Sequence, residues 1–295
     1  MTRLLLLVIL ATMATGLHAV DLDKLKKLQD KLKNPQTESR PAAPEPAAVP
    51  PSDSSSLPAI PPFGDVPEAD EIRIGRHIAG NLLGAAPLVN NLRLQSYVNR
   101  VGRWVASSSE RPDLKWTFGV IESNDLNAFA APGGYVFLTS GLYRLLRDEA
   151  ELAGVLGHEI GHVVKKHHLR VLQKSQAISA GSDLLKKRIG DKTVVKTLVG
   201  SGAEILARGL DKDAEFEADR IGVVLAARAG YDAFGLPAVL QEIGAAAEDS
   251  SRVALLFKTH PHPEERLARL GEAMGTRFDG LKNAKSPTQR LVKIP

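Results

Sequence analysis

Residues 157–168 read GHEIGHVVKKHH, and the five residues after the glycine constrain the whole chain. An α-helix turns about 100° per residue, so His158 and His162, four apart, lie within about 40° of each other on one face. Two imidazoles so placed can share one metal ion. Glu159, one step round the helix, can face a water in an open metal position. The surrounding segment, EAELAGVLGHEIGH, carries Leu152, Val155, Leu156 and Ile160 at helical spacing. A helix buried along that stripe buries its histidines as well, and buried histidines need partners. The pattern points to a zinc site with Glu159 as its general base.

The 295 residues include no cysteine, so the remaining ligands must be His or carboxylate. Catalytic zinc takes three protein ligands and a water. His168 stands ten residues past His158, the metzincin spacing, but Lys165 occupies the place where that class has a helix-breaking glycine. An uninterrupted helix turns His168 away and sets His167 about 180° from His158, so both are expected at the surface. Glu215 is the better third ligand. The stretch DKDAEFEADRIGVVLAARAG reads as a second helix stopping at Gly230, with Glu215 and Asp219 on a shared face and Glu217 off it. Asp219 can accept a hydrogen bond from the non-ligating nitrogen of a zinc histidine. The competing reading is a solvated acidic face, since Asp211, Asp213, Glu217 and Arg220 crowd the same segment.

Between residues 68 and 107 the apolar spacing predicts two helices, broken at 84–87. Residues 114–121 alternate as a half-buried strand, and 127–139 form a β-hairpin around Pro132, Gly133 and Gly134. The fold class is therefore α+β, mainly helical, with a small mostly antiparallel sheet beside the H-E-x-x-H helix. A protease holds its substrate extended, and an exposed sheet edge offers the backbone groups to do so. Gly134, Tyr135, Val136, Phe137 and Leu138 are expected to be that edge, with an ordinary core strand as the alternative. Glycines at 181, 190, 200 and 202 make residues 169–210 a candidate lid.

The ends of the chain read differently from its middle. Arg3, an apolar run over residues 4–13 and Ala19 make residues 1–19 a signal peptide, its run too short for the ~20 residues of a spanning helix. Export to the periplasm follows, with a retained anchor as the alternative. Residues 20–67 combine a short amphipathic helix, with leucines at 22, 25, 28 and 32, and a linker at 34–67 holding ten of the chain's 18 prolines. The folded unit is expected over 68–273, followed by a solvated tail at 274–295. The net charge of +4 comes from basic residues dispersed among 34 acidic ones, so no nucleic-acid partner is expected.

NAFAAPGGYVFLTSGL, HEIGHVVKKH, EFEAD and THPHPEER, taken together, resemble the zinc metallopeptidase family forty-eight. That family includes the CAAX prenyl endopeptidases, the bacterial heat-shock membrane protease and periplasmic proteases of outer-membrane assembly. The likeness runs from about residue 71 to 266 and implies a gluzincin-like domain with one Zn²⁺ per chain. It implies that Glu215 is the third ligand, and that His260 approaches the metal, either to cap it at rest or, with Arg266, to stabilise the transition state. It implies unfolded or unassembled envelope polypeptides as substrates, and outer-membrane assembly proteins as partners. Lys212 stands where many relatives carry Arg, and neither the spanning segments of the membrane members nor the helical repeats of the periplasmic ones are found. Two functions follow: an exported zinc endopeptidase with no transmembrane helix in the mature chain, or a non-catalytic, zinc-containing binding or chaperone-like factor.

Overall fold

A computed structural model describes residues 60–61, 63–177, 210–246, 253, 256–257, 260–281 and 291–293. In chain order the named elements are α1 (Glu68–Ala85), α2 (Leu92–Ala106), β1 (Thr117–Ile121), β2 (Ala128–Ala131), β3 (Tyr135–Thr139), α3 (Ser140–Leu145), α4 (Glu149–Val164), α5 (Lys212–Arg228), α6 (Gly235–Ala246) and α7 (Pro263–Met274), before a 3-10 turn at Asp279–Leu281. The expected signal peptide, the amphipathic helix, most of the linker and all of the candidate lid 169–210 except 169–177 and 210 lie outside the described residues. Among the described residues no helix is long and apolar enough to cross a membrane.

The hairpin forms where expected, with Gly133 and Gly134 at φ +76° and +94° in its turn, a region side chains rarely enter. The sheet is mixed rather than mostly antiparallel. Its order is β1-β3-β2: β2 runs antiparallel to β3, and β1 runs parallel to it, in register from Thr117 opposite Tyr135 to Ile121 opposite Thr139. The 122–127 connection carries the chain past the place beside β1, and β3 returns to fill it. That topology overturns the expected edge: Tyr135, Val136, Phe137 and Leu138 form the middle strand, with backbone groups paired on both sides, and Gly134 belongs to the turn before it. The outer strands are β1 and β2; Leu88 bridges to Ile121 beside β1, and no strand among the described residues covers the far side of β2.

Alternation along β3 sorts side chains to two cores. Val136 and Leu138 join Val98, Val101, Leu152 and Ile160 from α2 and α4, whereas Phe137 joins Ile74 and Ile78 of α1 with Leu169 and Leu172. Helices thus cover both faces, and β1 is buried from Phe118 onward instead of half-buried. Ile60 and Val66 are buried in the second core, so packing begins ahead of residue 68. Leu291 and Val292 pack on the first core, and the Tyr143 hydroxyl donates to the Val292 carbonyl at 2.9 Å, so part of the expected solvated tail is docked.

Two helices position the site. Asp148 caps α4 by accepting from the Glu151 amide at 3.0 Å, and Glu151 reaches back to accept from the Arg147 amide at 2.6 Å. Asp211 caps α5, accepting from the Ala214 amide at 2.8 Å. The helices touch through glycine: a Cβ on Gly222 would sit 2.7 Å from the His158 nitrogen, and one on Gly157 would sit 2.8 Å from the Gly222 carbonyl oxygen. Glu215, Ala218 and Gly222 share one face of α5 at helical spacing, so this approach sets Glu215 opposite the α4 histidines.

The H-E-x-x-H helix does not continue through Lys165 as the sequence suggested. It ends at Val164, and Lys166 takes φ +55°, the only positive φ of a non-glycine among the described residues. After this turn residues 167–177 are again helical, on a new axis.

Candidate active site

Four donors converge where α4, α5 and the chain before α7 meet. One ligand atom each from His158, His162, Glu215 and His260 lies within 4.8 Å of all the others. The Nε2 atoms of His158 and His162 are 2.9 Å apart. Glu215 Oε2 lies 3.6 Å from His158 Nε2 and 3.7 Å from His260 Nε2, and Glu215 Oε1 lies 3.5 Å from His162 Nε2. Tetrahedral ligands at 2.0–2.1 Å from one ion stand about 3.3 Å apart, so the spacing suits a shared metal. Both Glu215 oxygens are buried and neither has a hydrogen-bond donor among the described residues. A carboxylate so placed lacks a positive partner that a metal ion would supply.

The electrostatics agree. Burial, then the Arg266 charge, lowers the pKa of His158, and burial drives those of His162 and His260 well below the ordinary histidine value. All three imidazoles are therefore neutral, the form that ligates metal. Burial pushes Glu215 well above the carboxylate range and Glu159 up to about 8. Glu159, 3% exposed, is close enough for its charge to raise Glu215 further.

Asp219 stands where expected, its Oδ1 2.9 Å from His158 Nδ1, so that the proton is held on the nitrogen facing away from the donor cluster. Arg266 is elsewhere than the transition-state reading required. Its Nη2 donates to Asp219 Oδ1 at 2.6 Å and its Nε to Oδ2 at 2.9 Å, on the Nδ1 side of His158. A guanidinium 4% exposed must be paired, and the carboxylate fork is its partner. Burial alone would raise the Asp219 carboxyl, but Arg266 holds it below the usual range.

His167 and His168, expected at the surface, are turned inward by the αL residue between them and α4. His167 is 1% exposed, with Nδ1 2.8 Å from His162 Nδ1 and Nε2 3.2 Å from Glu217 Oε2. The His168 ring lies 5.6 Å from that of His162, and burial lowers its pKa to about 4. No sequence signal announced this, because a lysine in αL is not something propensity predicts.

Fold and site together define the class: a metallopeptidase domain in which His158, His162, Glu215 and His260 form a cluster that could hold a metal ion. The chain belongs to peptidase family M48, whose family model matches residues 92–274. It is similar to the beta-barrel assembly-enhancing protease of Escherichia coli K12, 34% identical over 208 residues, which are 67% of this chain and 42% of that protein. It is similar to the mitochondrial metalloendopeptidase OMA1 of Schizosaccharomyces pombe, 28% identical over 60% of this chain and 52% of that one. Metalloprotease YcaL of Escherichia coli K12 is 31% identical over 54% of this chain and 62% of its own length. The matched region thus spans less than half of the first relative.

Proposed function

We propose that the chain is an exported, zinc-dependent endopeptidase that cuts unfolded or unassembled envelope polypeptides. The observation that carries the reading is Glu215: two buried oxygens without a donor, each 3.5–3.7 Å from the Nε2 of neutral histidines. His158, His162 and Glu215 would hold the zinc, with His260 as a removable fourth donor. Bound there, zinc supplies the Lewis acidity that acidifies a water and polarises a peptide carbonyl.

The chain's own side chains do the rest. The Glu159 carboxylate takes the proton of the attacking water and returns it to the leaving amine nitrogen. Its burial makes it more basic than a solvated carboxylate, and a bound cation offsets that shift. Asp219 keeps His158 in the tautomer that presents Nε2. The outer side of β2, which packs against α4, offers backbone groups for an extended substrate. Residues 1–19 would direct export, and the name of the Escherichia coli relative, an enhancer of β-barrel assembly, supports substrates of the envelope.

One observation favours a second reading. With His260 the donor set is closed, as in structural zinc sites, so a binding factor with a permanently capped metal also fits. The test is cleavage of casein by the mature chain beside Glu159→Gln, with zinc content equal in both. Cleavage lost only in the variant supports the peptidase. If neither cuts and His260→Ala does not release activity, the capped binding factor stands.

A further inference from the structure

His162 is held from behind differently from His158. Asp219, a carboxylate, meets His158 Nδ1, whereas another ring, His167, meets His162 Nδ1, and a carboxylate appears only beyond it at Glu217. Building on the zinc reading above, we propose that His167 is a positioning residue that fixes His162 as a metal ligand, with Glu217 orienting His167 in turn.

Proton placement leaves one arrangement. Ligation through Nε2 of His162 requires a lone pair there, so its proton sits on Nδ1. That N–H can only donate across the 2.8 Å gap to His167 Nδ1, which must then be bare. The His167 proton is left on Nε2, where Glu217 Oε2 accepts at 3.2 Å. Each link sets the tautomer of the next, and the chain ends on a carboxylate able to accept.

The interposed ring has a physical reason. Glu215 is already buried beside His162, and a second buried carboxylate against its Nδ1 would add repulsion in a poorly solvated place. Through His167 the negative charge moves out to Glu217, whose side chain is 39% exposed. The backbone shows the same demand. Lys166 adopts αL, which is unfavourable for a side-chain-bearing residue, and this turn returns His167 to His162. Strain at a single residue next to a site is the usual mark of a positional requirement.

The experiment is zinc affinity of the full mature chain, measured by competition with a chromophoric chelator, for wild type, His167→Phe, His167→Asn and Glu217→Gln. Loss of a hydrogen-bond partner behind a metal histidine typically costs 10–100-fold in affinity. His167→Phe, which keeps a ring but no acceptor, should weaken zinc binding by about that factor. His167→Asn should restore most of it, because its amide oxygen can stand where Nδ1 stood, and Glu217→Gln should lose less than His167→Phe. Equal affinity in wild type and His167→Phe, or the same loss in His167→Asn, overturns the proposal.

Should the phenylalanine variant not fold, nitrogen NMR of zinc-loaded wild type decides. A proton on His167 Nε2 and on His162 Nδ1 is expected, and a proton on His167 Nδ1 overturns the chain. A wild type that binds no zinc overturns the metal reading and this inference together; a zinc-binding wild type with the wrong tautomer overturns this inference alone.

Discussion

Arg266 grips both oxygens of Asp219, Nη2 to Oδ1 at 2.6 Å and Nε to Oδ2 at 2.9 Å, and through that carboxylate the first residue of the H-E-x-x-H motif is held. The guanidinium is thus a brace from α7 onto α5, and its Nη2 also lies 3.3 Å from His158 Nδ1. Removing one partner of a buried pair leaves the other charge stranded and costs about 3–5 kcal/mol.

Asp219→Ala should therefore destabilise the metal-free protein by about 3–5 kcal/mol in urea unfolding. The double change Asp219→Asn with Arg266→Met should cost less than the sum of its single changes, since it strands no charge. Additive costs would show that the two residues act independently.

The close approach of α4 and α5 depends on absent side chains. Gly222→Ala puts a Cβ 2.7 Å from the His158 nitrogen, against backbone that cannot swing aside. The expected cost is about 1–3 kcal/mol, accompanied by weaker metal binding, because the helices must part by some tenths of an ångström. Gly271→Ala, on α7 with open space around the added carbon, is the control and should be neutral or slightly stabilising.

A metal held by Glu215 would link binding to stability. Zinc at a hundredfold excess over its dissociation constant should raise unfolding free energy by about 2.7 kcal/mol, and chelation should reverse the gain. Glu215→Gln should raise the stability of the metal-free chain, because it removes a buried carboxylate without donors, while abolishing the zinc-dependent rise in Tm. A Glu215→Gln protein that still responds to zinc would remove Glu215 from the ligand set.

Alkaline stability should report on a network at the opposite end of α4. The buried Glu149 carboxylate accepts from the Tyr97 hydroxyl at 2.7 Å and from the Tyr231 hydroxyl at 2.9 Å. Burial first, and then the bond to Glu149, raises the Tyr97 pKa far above its ordinary value. A group whose pKa is raised by folding stabilises fully below its unfolded value, here about 10, and loses that contribution as pH climbs towards the folded one. Tyr97→Phe should cost about 1.5–3 kcal/mol at neutral pH and flatten the fall in stability above pH 10, as followed by circular dichroism. An unchanged alkaline limb would assign the loss to other groups.

Most of the candidate metal site was legible in the chain because helical periodicity is local. His158, His162, Glu159, Glu215 and Asp219 follow from spacing within two helices, and the structure gathers donor atoms of His158, His162 and Glu215 with Asp219 against His158 Nδ1. His260 rested on a likeness to other chains, and it too joins the cluster. What failed were the local end of the H-E-x-x-H helix at Val164 and statements about contacts between segments far apart in sequence. The hairpin at 127–139 was readable from its turn, but which strand lies at the edge depends on where β1 docks, and that is decided by packing of α1, α2 and α4 on the two faces.

The sequence by itself determined which segments are helical, the hairpin turn and the chemical types of the donors, since each depends on residues within a few positions of one another. Only the tertiary structure decided the mixed order of the sheet, the inward turn of His167 and the withdrawal of Arg266 to Asp219. Those depend on burial: a charge or ring far from water takes the nearest partner the assembled fold provides, and no local pattern says which partner that will be.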